Sequence, residues 1–182
     1  MKKYIGLVLV AMSGCILTVN AQQSFSYKNP LLPTELRVND LLGRMTLEEK
    51  IAQIRHLHSW DVFDGQILNQ EKLDKMCGGI GYGFFEGFPL TAASCRKTFR
   101  EIQTYMVEKT RLGIPGFPVA ESLHGVVHEG TTIYPQNIAM GSTFNPELAY
   151  EKTKHIAGEL NTMGVKQVLA PCIDVVRDLR WG

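Results

Sequence analysis

The residues whose types could support chemistry stand directly after two short apolar runs. Glu121 follows the run at 117–120, His124 comes three positions later, and Asp174 follows a second run at 165–170. Functional sites of parallel α/β proteins collect at the carboxyl ends of the strands, so Glu121 and Asp174 are candidate ligand-binding carboxylates. The alternatives are a solvated loop carboxylate for Glu121 and a turn or ion-pair role for Asp174.

The histidines indicate structural roles more than ligand binding. His124 could contact a substrate, but a neutral imidazole that bonds backbone groups on both sides is the favoured interpretation. His56 and His58 are two residues apart, and in a helix that spacing places them on different faces. His128 has only Glu129 beside it, and a metal site needs further ligands at fixed spacing. The sequence therefore predicts no metal site.

Helix and strand signals alternate along the chain from Thr34 onward. Thr46 and Glu49 form a capping box, and apolar residues at positions 47, 51, 54 and 57 predict one buried helical stripe. In a second helix Cys95, Phe99, Ile102 and Met106 share a face, and in a third Asn145 is the N-cap. The predicted segments are helices at 34–45, 46–57, 91–111 and 145–163 and strands at 78–85, 117–120 and 165–170.

This alternation is typical of parallel α/β units. Four glycines in 78–85 indicate a short strand where backbones approach closely, and the segment matches neither phosphate-binding glycine motif. A length of 182 residues suggests one domain. A closed (β/α)8 barrel usually needs about 250 residues, so the chain is too short to form one alone.

The composition is that of an ordinary soluble globular protein, with 45% hydrophobic and 20% charged residues. A net charge of +1 gives no electrostatic reason to expect nucleic acid or an anionic membrane as a partner. Beyond the amino-terminal segment the cysteines are Cys77, Cys95 and Cys172. Their odd number and wide spacing predict buried free thiols, with one disulfide pair as the alternative.

Residues 1–21 are typical of a secretory signal peptide. Two lysines precede the apolar run at 4–17, and Ala21 ends a motif of small residues suited to cleavage. The run is shorter than the ~20 apolar residues of a membrane span, and lipidation of Cys15 is disfavoured because apolar residues continue beyond it. The sequence predicts an exported protein, periplasmic or secreted, with residues 22–33 as an extended lead-in.

Four motifs in a fixed order give the chain a family resemblance. They are RVNDLLGRMTLEEKIAQ (37–53), RLGIP (111–115), ESLHGVVHEGTTIYPQNIAMGSTFNPEL (121–148) and LAPCIDVVRDLRWG (169–182). Together they resemble glycoside hydrolase family 3 over nearly all of the chain after the predicted signal peptide. The resemblance implies an α/β fold that is an incomplete (β/α)8 TIM-like barrel, with the first three or so βα units in residues 34–182.

The resemblance also implies an activity, that of an exo-acting retaining β-glycosidase. Such an enzyme, like a β-glucosidase, hydrolyses terminal β-linked sugars from oligosaccharides. The alternatives are a β-xylosidase or arabinosidase of the same family and an inert carbohydrate-binding or truncated gene product. Retaining hydrolysis uses two carboxyl groups about 5–5.5 Å apart and needs no cofactor. The expected partner is an oligosaccharide or β-glycoside.

The resemblance assigns Glu121 to hydrogen bonding with hydroxyls of the bound sugar, a task suited to a charged acceptor. His124 and Asp174 are weaker candidates for substrate binding. The nucleophile and the acid/base are expected beyond Gly182, in a C-terminal part of the parent enzyme that these residues do not include. The 182-residue chain alone is therefore predicted to be inactive.

Overall fold

The computed structural model describes residues 26–86 and 91–172, together with residues 175, 177, 178 and 180. The predicted signal peptide and the candidate Asp174 lie outside these described residues. The chain divides into two compact units, one ending at Arg44 and the other beginning at Met45. The division into a signal peptide, a lead-in and a barrel segment stays a prediction.

The described part of the first unit is a 3-10 turn followed by one helix. The turn spans Ser26–Lys28 and helix α1 spans Thr34–Arg44, which confirms the predicted short helix. The Asp40 carboxylate accepts hydrogen bonds from the Tyr27 amide at 3.0 Å and from the Arg44 Nε at 2.9 Å. These contacts join the turn to the helix, because Asp40 lies on α1.

The second unit contains a four-stranded parallel sheet and the helices that connect its strands. Its elements in chain order are α2 Leu47–Gln53, β1 His56–His58, α3 Ser59–Val62, β2 Phe63–Asp64, β3 Ile67–Leu68, α4 Gln70–Cys77, β4 Phe84–Glu86, α5 Ala92–Lys109, β5 Phe117–Glu121, α6 Asn137–Gly141, α7 Pro146–Met163 and β6 Gln167–Leu169.

The strands lie in the order β1-β4-β5-β6, so each neighbour in the sheet is reached through a helical connection. All three pairings are parallel, with His58 opposite Glu86, Phe84 opposite Phe117 and Glu121 opposite Leu169. The small strands β2 and β3 form an antiparallel hairpin inside the first connection. The predicted parallel α/β fold is confirmed, with one more strand than the three that the sequence indicated.

Strand β1 replaces the end of a predicted helix, and the predicted stripe of buried residues is wrong. Helix α2 stops at Gln53, and Leu57 lies fully buried in β1. The other three stripe residues, Leu47, Ile51 and Ile54, are exposed. The helical period arose because the seven-residue helix α2 and the following strand happen to place apolar residues three or four positions apart.

The helix layer covers one face of the sheet. The four α5 residues predicted to share a face, Cys95, Phe99, Ile102 and Met106, are all buried. On α7 Ile156, Leu160 and Met163 are buried, whereas Thr153 is exposed. Together with Leu57 of β1 and Phe85 of β4 these side chains form the main core cluster. Because Leu57 and Phe85 face the helices, the residues on either side of them in each strand point to the opposite face of the sheet.

The glycine segment contains the close backbone approach that the sequence predicts. A Cβ on Gly83 would lie 1.9 Å from the Gln53 carbonyl oxygen, so no larger residue fits without a backbone shift. Gly78 and Gly79 have positive φ values of 53° and 79° and belong to the turn that ends α4. The strand is therefore shorter than predicted and begins only at Phe84.

The capping box at the start of α2 is confirmed and extends into an ion pair. The Glu49 amide donates to the Thr46 Oγ1 at 3.2 Å, and the Thr46 amide donates to the Glu49 Oε2 at 2.9 Å. Arg111, which belongs to the RLGIP segment, donates from Nε to the Glu49 Oε1 at 2.7 Å and from Nη2 to Oε2. Glu49 is 4% exposed. The hydrogen bonds from Arg111 hold the pKa of the Glu49 carboxyl below its ordinary value.

We expect Arg111→Ala to destabilise the protein by about 1–2 kcal/mol, because it leaves the buried Glu49 carboxylate without its cation. The loss is limited because Arg111 itself is half exposed, so that water can occupy part of the space that its side chain leaves. The lowered pKa of Glu49 means that its contribution is complete above about pH 5 and is lost as the pH falls through the lowered folded value. Thermal unfolding of the full-length gene product between pH 3 and pH 8 measures both effects. Arg100→Ala, on the exposed side of α5, is the control, and an equal loss in both variants would contradict the assignment.

Two of the three cysteines are buried free thiols, as predicted. Burial raises the pKa of Cys77 to about 12 and that of Cys95 to about 11, so both are poor nucleophiles at neutral pH. Cys172 is free but exposed, so the prediction that it is buried is wrong. It follows the last strand, where the described helices do not cover it.

Candidate functional site

A cavity of about 450 Å³ lies at the carboxyl ends of β1, β4 and β5. Its polar lining is His58, Glu86 and Glu121 at the ends of the three strands and His128 in the loop after β5, while Trp60 of α3 and Phe99 of α5 add aromatic rings. Parallel α/β enzymes place their reactive groups at this edge, because the loops after the strands converge there. This cavity is therefore the candidate functional site.

Glu121 is the last residue of strand β5 and lies at its carboxyl end. The three residues before it, Pro118, Val119 and Ala120, are buried, whereas Phe117 and Glu121 at the two ends of the strand are exposed. Side chains alternate between the faces of a strand, so Glu121 lies on the same face as Phe117. Its carboxylate is exposed and lines the cavity, which leaves its oxygens available to a ligand.

His124 makes polar contacts within the loop that follows β5. Its Nδ1 lies 3.0 Å from the Tyr134 carbonyl oxygen, and the Tyr134 amide donates to the His124 carbonyl oxygen at 2.8 Å. The next residue, Gly125, has a φ of +115°, and a Cβ there would lie 2.3 Å from the Thr132 carbonyl oxygen. These contacts close the loop on itself, and they support the structural interpretation of His124.

The structure brings two histidines and a carboxylate together that the sequence did not connect. His56 and His58 lie on a strand, not a helix, so residues two apart share a face and the expectation of different faces is wrong. The Nδ1 atoms lie 3.0 Å and 3.4 Å from the same oxygen, Oε1 of Glu86. The His56 contact lacks the alignment of a hydrogen bond. A polar-apolar-polar triplet, His-Leu-His, was the signal for this strand.

Trp60 adds an aromatic surface to the cavity. Its ring stacks on the His58 imidazole, with centroids 4.3 Å apart and planes 7° apart, while 70% of the residue is exposed. His128, in the loop that follows β5, also lines the cavity and is partly exposed. The sequence alone does not mark Trp60 as a cavity residue, because its position there depends on stacking against His58, the last residue of the preceding strand.

A larger cavity, of about 950 Å³, lies between the amino-terminal end of α5 and helix α7. Lys154, His155 and Glu159 in its lining belong to α7, Glu129 and Thr131 belong to the loop after β5, and none of its lining residues ends a strand. Among the described residues, no group of three His, Cys, Asp or Glu side chains could hold a metal ion. The helices of the described region are each too short or too polar to cross a membrane.

Comparison with known proteins gives a match to a family model and several similar proteins. Residues 46–182 match the model of the glycosyl hydrolase family 3 N-terminal domain. A periplasmic β-glucosidase of Salmonella typhimurium is 29% identical over 182 residues, which is 99% of this chain. A β-xylosidase of Formosa agariphila is 38% identical over 78 residues, which is 40% of this chain and 11% of that protein.

A solved structure of a β-glucosidase from Erythrobacter marinus is also similar, with a TM-score of 0.71 and 28% sequence identity. The similarity covers 88% of this chain and 21% of that chain. The alignment with the Salmonella typhimurium protein likewise covers 22% of its length. The chain thus spans about a fifth of these proteins, and its fold corresponds to part of a TIM-like barrel.

Proposed function

The chain belongs to glycosyl hydrolase family 3, and from this membership we propose that the full-length gene product hydrolyses terminal β-linked sugars from oligosaccharides with retention of configuration. The observation that carries the proposal is the position of Glu121. It ends β5, its side chain is exposed, and it lines the cavity at the carboxyl edge of the sheet.

Glu121 is proposed to bind the sugar, and it is not proposed to react with it. A carboxylate can accept hydrogen bonds from two neighbouring hydroxyls at once, and charge-assisted bonds are the stronger ones. Retaining hydrolysis needs a nucleophile and an acid/base about 5–5.5 Å apart. We propose that both are supplied by residues outside these 182, since the chain spans about a fifth of its relatives.

A β-xylosidase activity is the second candidate within the same chemistry. The observation in its favour is the β-xylosidase of Formosa agariphila, which is 38% identical over 78 residues. Glucose and xylose differ by one hydroxymethyl group, and an enzyme discriminates between two such substrates through the ratio of their kcat/KM values. The two candidates are therefore separated by a ratio of kcat/KM values and not by the presence or absence of activity.

Hydrolysis of a panel of aryl β-glycosides tests both candidates. We expect the full-length gene product to release the aryl group from a β-glucoside or a β-xyloside, and the 182-residue chain alone to release none. The isolated chain would leave parallel strands β1 and β6 unpaired on their outer edges and would lack the proposed nucleophile. Turnover by the isolated chain would refute the second expectation, and a full-length product inactive on the whole panel would refute the first.

Export to the periplasm is also proposed, in keeping with the predicted signal peptide. The name of the Salmonella typhimurium relative, a periplasmic β-glucosidase, supports it. The amino-terminal sequence of the mature protein measures this directly, and a mature form that begins at Gln22 is expected. A mature amino terminus at Cys15 would indicate lipidation instead.

A further inference from the structure

Glu86 is a second carboxylate at the same edge of the sheet as Glu121. It is the last residue of β4, Glu121 is the last residue of β5, and both line the 450 Å³ cavity. The neighbouring strands are parallel, with Phe84 opposite Phe117, so residues 84 and 86 share a face with residues 117 and 121. The Glu86 side chain is 21% exposed, which leaves it reachable from the cavity.

Two imidazoles approach one oxygen of this carboxylate. His56 and His58 place their Nδ1 atoms 3.0 Å and 3.4 Å from Oε1 of Glu86. No hydrogen bond or ion pair within the described residues uses the other oxygen, Oε2. An ionised carboxylate offers about four acceptor positions, so Glu86 keeps unused capacity at a cavity wall.

Stacked rings hold both imidazoles in place. His58 stacks on Trp60 at 4.3 Å, and His56 stacks on Phe84 at 5.0 Å with planes 22° apart. The rotation of each imidazole is therefore restricted, and the carboxylate that they contact is restricted with them. A group that is held in place before binding loses less conformational entropy when the ligand arrives.

We propose that Glu86 is a substrate-binding residue whose Oε2 accepts a hydrogen bond from a hydroxyl of the glycoside, and that His56 and His58 are its positioning residues. This inference rests on the proposed function, because it takes the cavity ligand to be a glycoside. A sugar offers hydroxyl donors on neighbouring carbons, which suits two carboxylates on adjacent strands. Glu121 and Glu86 then contact different hydroxyls of one ligand.

The test uses Glu86→Gln in the full-length gene product. The amide keeps the size and shape of the side chain but replaces a charged acceptor by a neutral one. We expect KM for the aryl β-glycoside to rise about tenfold while kcat changes less than threefold. The affinity for the released monosaccharide, measured by calorimetry, should fall by a similar factor. Glu101→Gln, on the exposed surface of α5, is the matched control and should change neither.

The positioning role of His58 is tested by His58→Ala alone and in combination. We expect the single change to raise KM about fivefold and to add little in the presence of Glu86→Gln, because both act through the same carboxylate. A merely structural histidine would instead lower the melting temperature and leave KM unchanged. Additive effects of the two changes on KM would overturn the positioning role.

The outcomes separate this inference from the proposed function. Hydrolysis with an unchanged KM and an unchanged sugar affinity in Glu86→Gln overturns the inference and leaves the function standing. Sugar binding that Glu86→Gln weakens, in a protein that hydrolyses none of the glycosides, supports the inference and overturns the function. A wild-type protein that neither hydrolyses the glycosides nor binds glucose or xylose overturns both.

Discussion

Glu121→Ala in the full-length gene product should lower kcat/KM for an aryl β-glycoside by about 10²–10⁴-fold. Glu121 is proposed to accept hydrogen bonds from two sugar hydroxyls, and each bond to a charged group contributes about 1.5–3 kcal/mol. Because one factor of ten corresponds to about 1.4 kcal/mol, the loss of both bonds gives this range. KM should rise, and kcat should fall as well if the bonds strengthen in the transition state.

Two further variants make this prediction specific. Glu121→Gln keeps the shape of the side chain and should lose less activity than Glu121→Ala. Glu129→Ala removes an exposed carboxylate from the same loop region, but Glu129 lines the other cavity and its loss should leave kcat/KM unchanged. If Glu121→Ala retained wild-type kinetics, Glu121 would not belong to the sugar site.

Gly125→Ala should destabilise the protein by about 3 kcal/mol and reduce activity through the loop that follows Glu121. A Cβ at this position would lie 2.3 Å from the Thr132 carbonyl oxygen, and the φ of +115° is strained for any L side chain. The oxygen belongs to backbone and cannot move aside like the end of a flexible side chain. The loop must therefore open, which separates His124 from Tyr134.

Thermal unfolding and steady-state kinetics measure the two parts of this prediction. Gly158→Ala is the control, because Gly158 lies in α7 with nothing within 4 Å of the added Cβ. Replacing a helical glycine by alanine should leave stability equal or slightly higher. A Gly125→Ala variant with the wild-type melting temperature would show that the loop tolerates a Cβ, and the glycine would then need another explanation.

The segment from Glu121 to Gly125 holds both a candidate ligand-binding residue and a residue whose type is set by sterics. Glu121 is the ligand-binding candidate, and Gly125, four residues later, is the position where a Cβ does not fit. The sequence marks both residues by type and spacing. It does not reveal that the carbonyl of Thr132 is the group that excludes a side chain at Gly125. That contact joins residues seven positions apart through the shape of the loop.

Local rules explain which elements were predictable. The capping box at Thr46, the N-cap at Asn145 and the buried face of α5 are set by neighbours within one or two helical turns, and all three are confirmed. Strand β5 was predictable because a short apolar run ends in a polar residue, and the structure confirms it. Strand β1 was missed because three residues are too few to establish a period of two.

The sequence by itself determined the family, the alternation of helices and strands, and Glu121 as the strand-end carboxylate. Only the tertiary structure decided that Glu86, whose carboxylate is approached by His56 and His58, shares a cavity with Glu121. These residues come from three strands separated by long connections, and their side-chain directions depend on strand register. Register is set by pairing between distant segments, so neither composition nor local period could specify it.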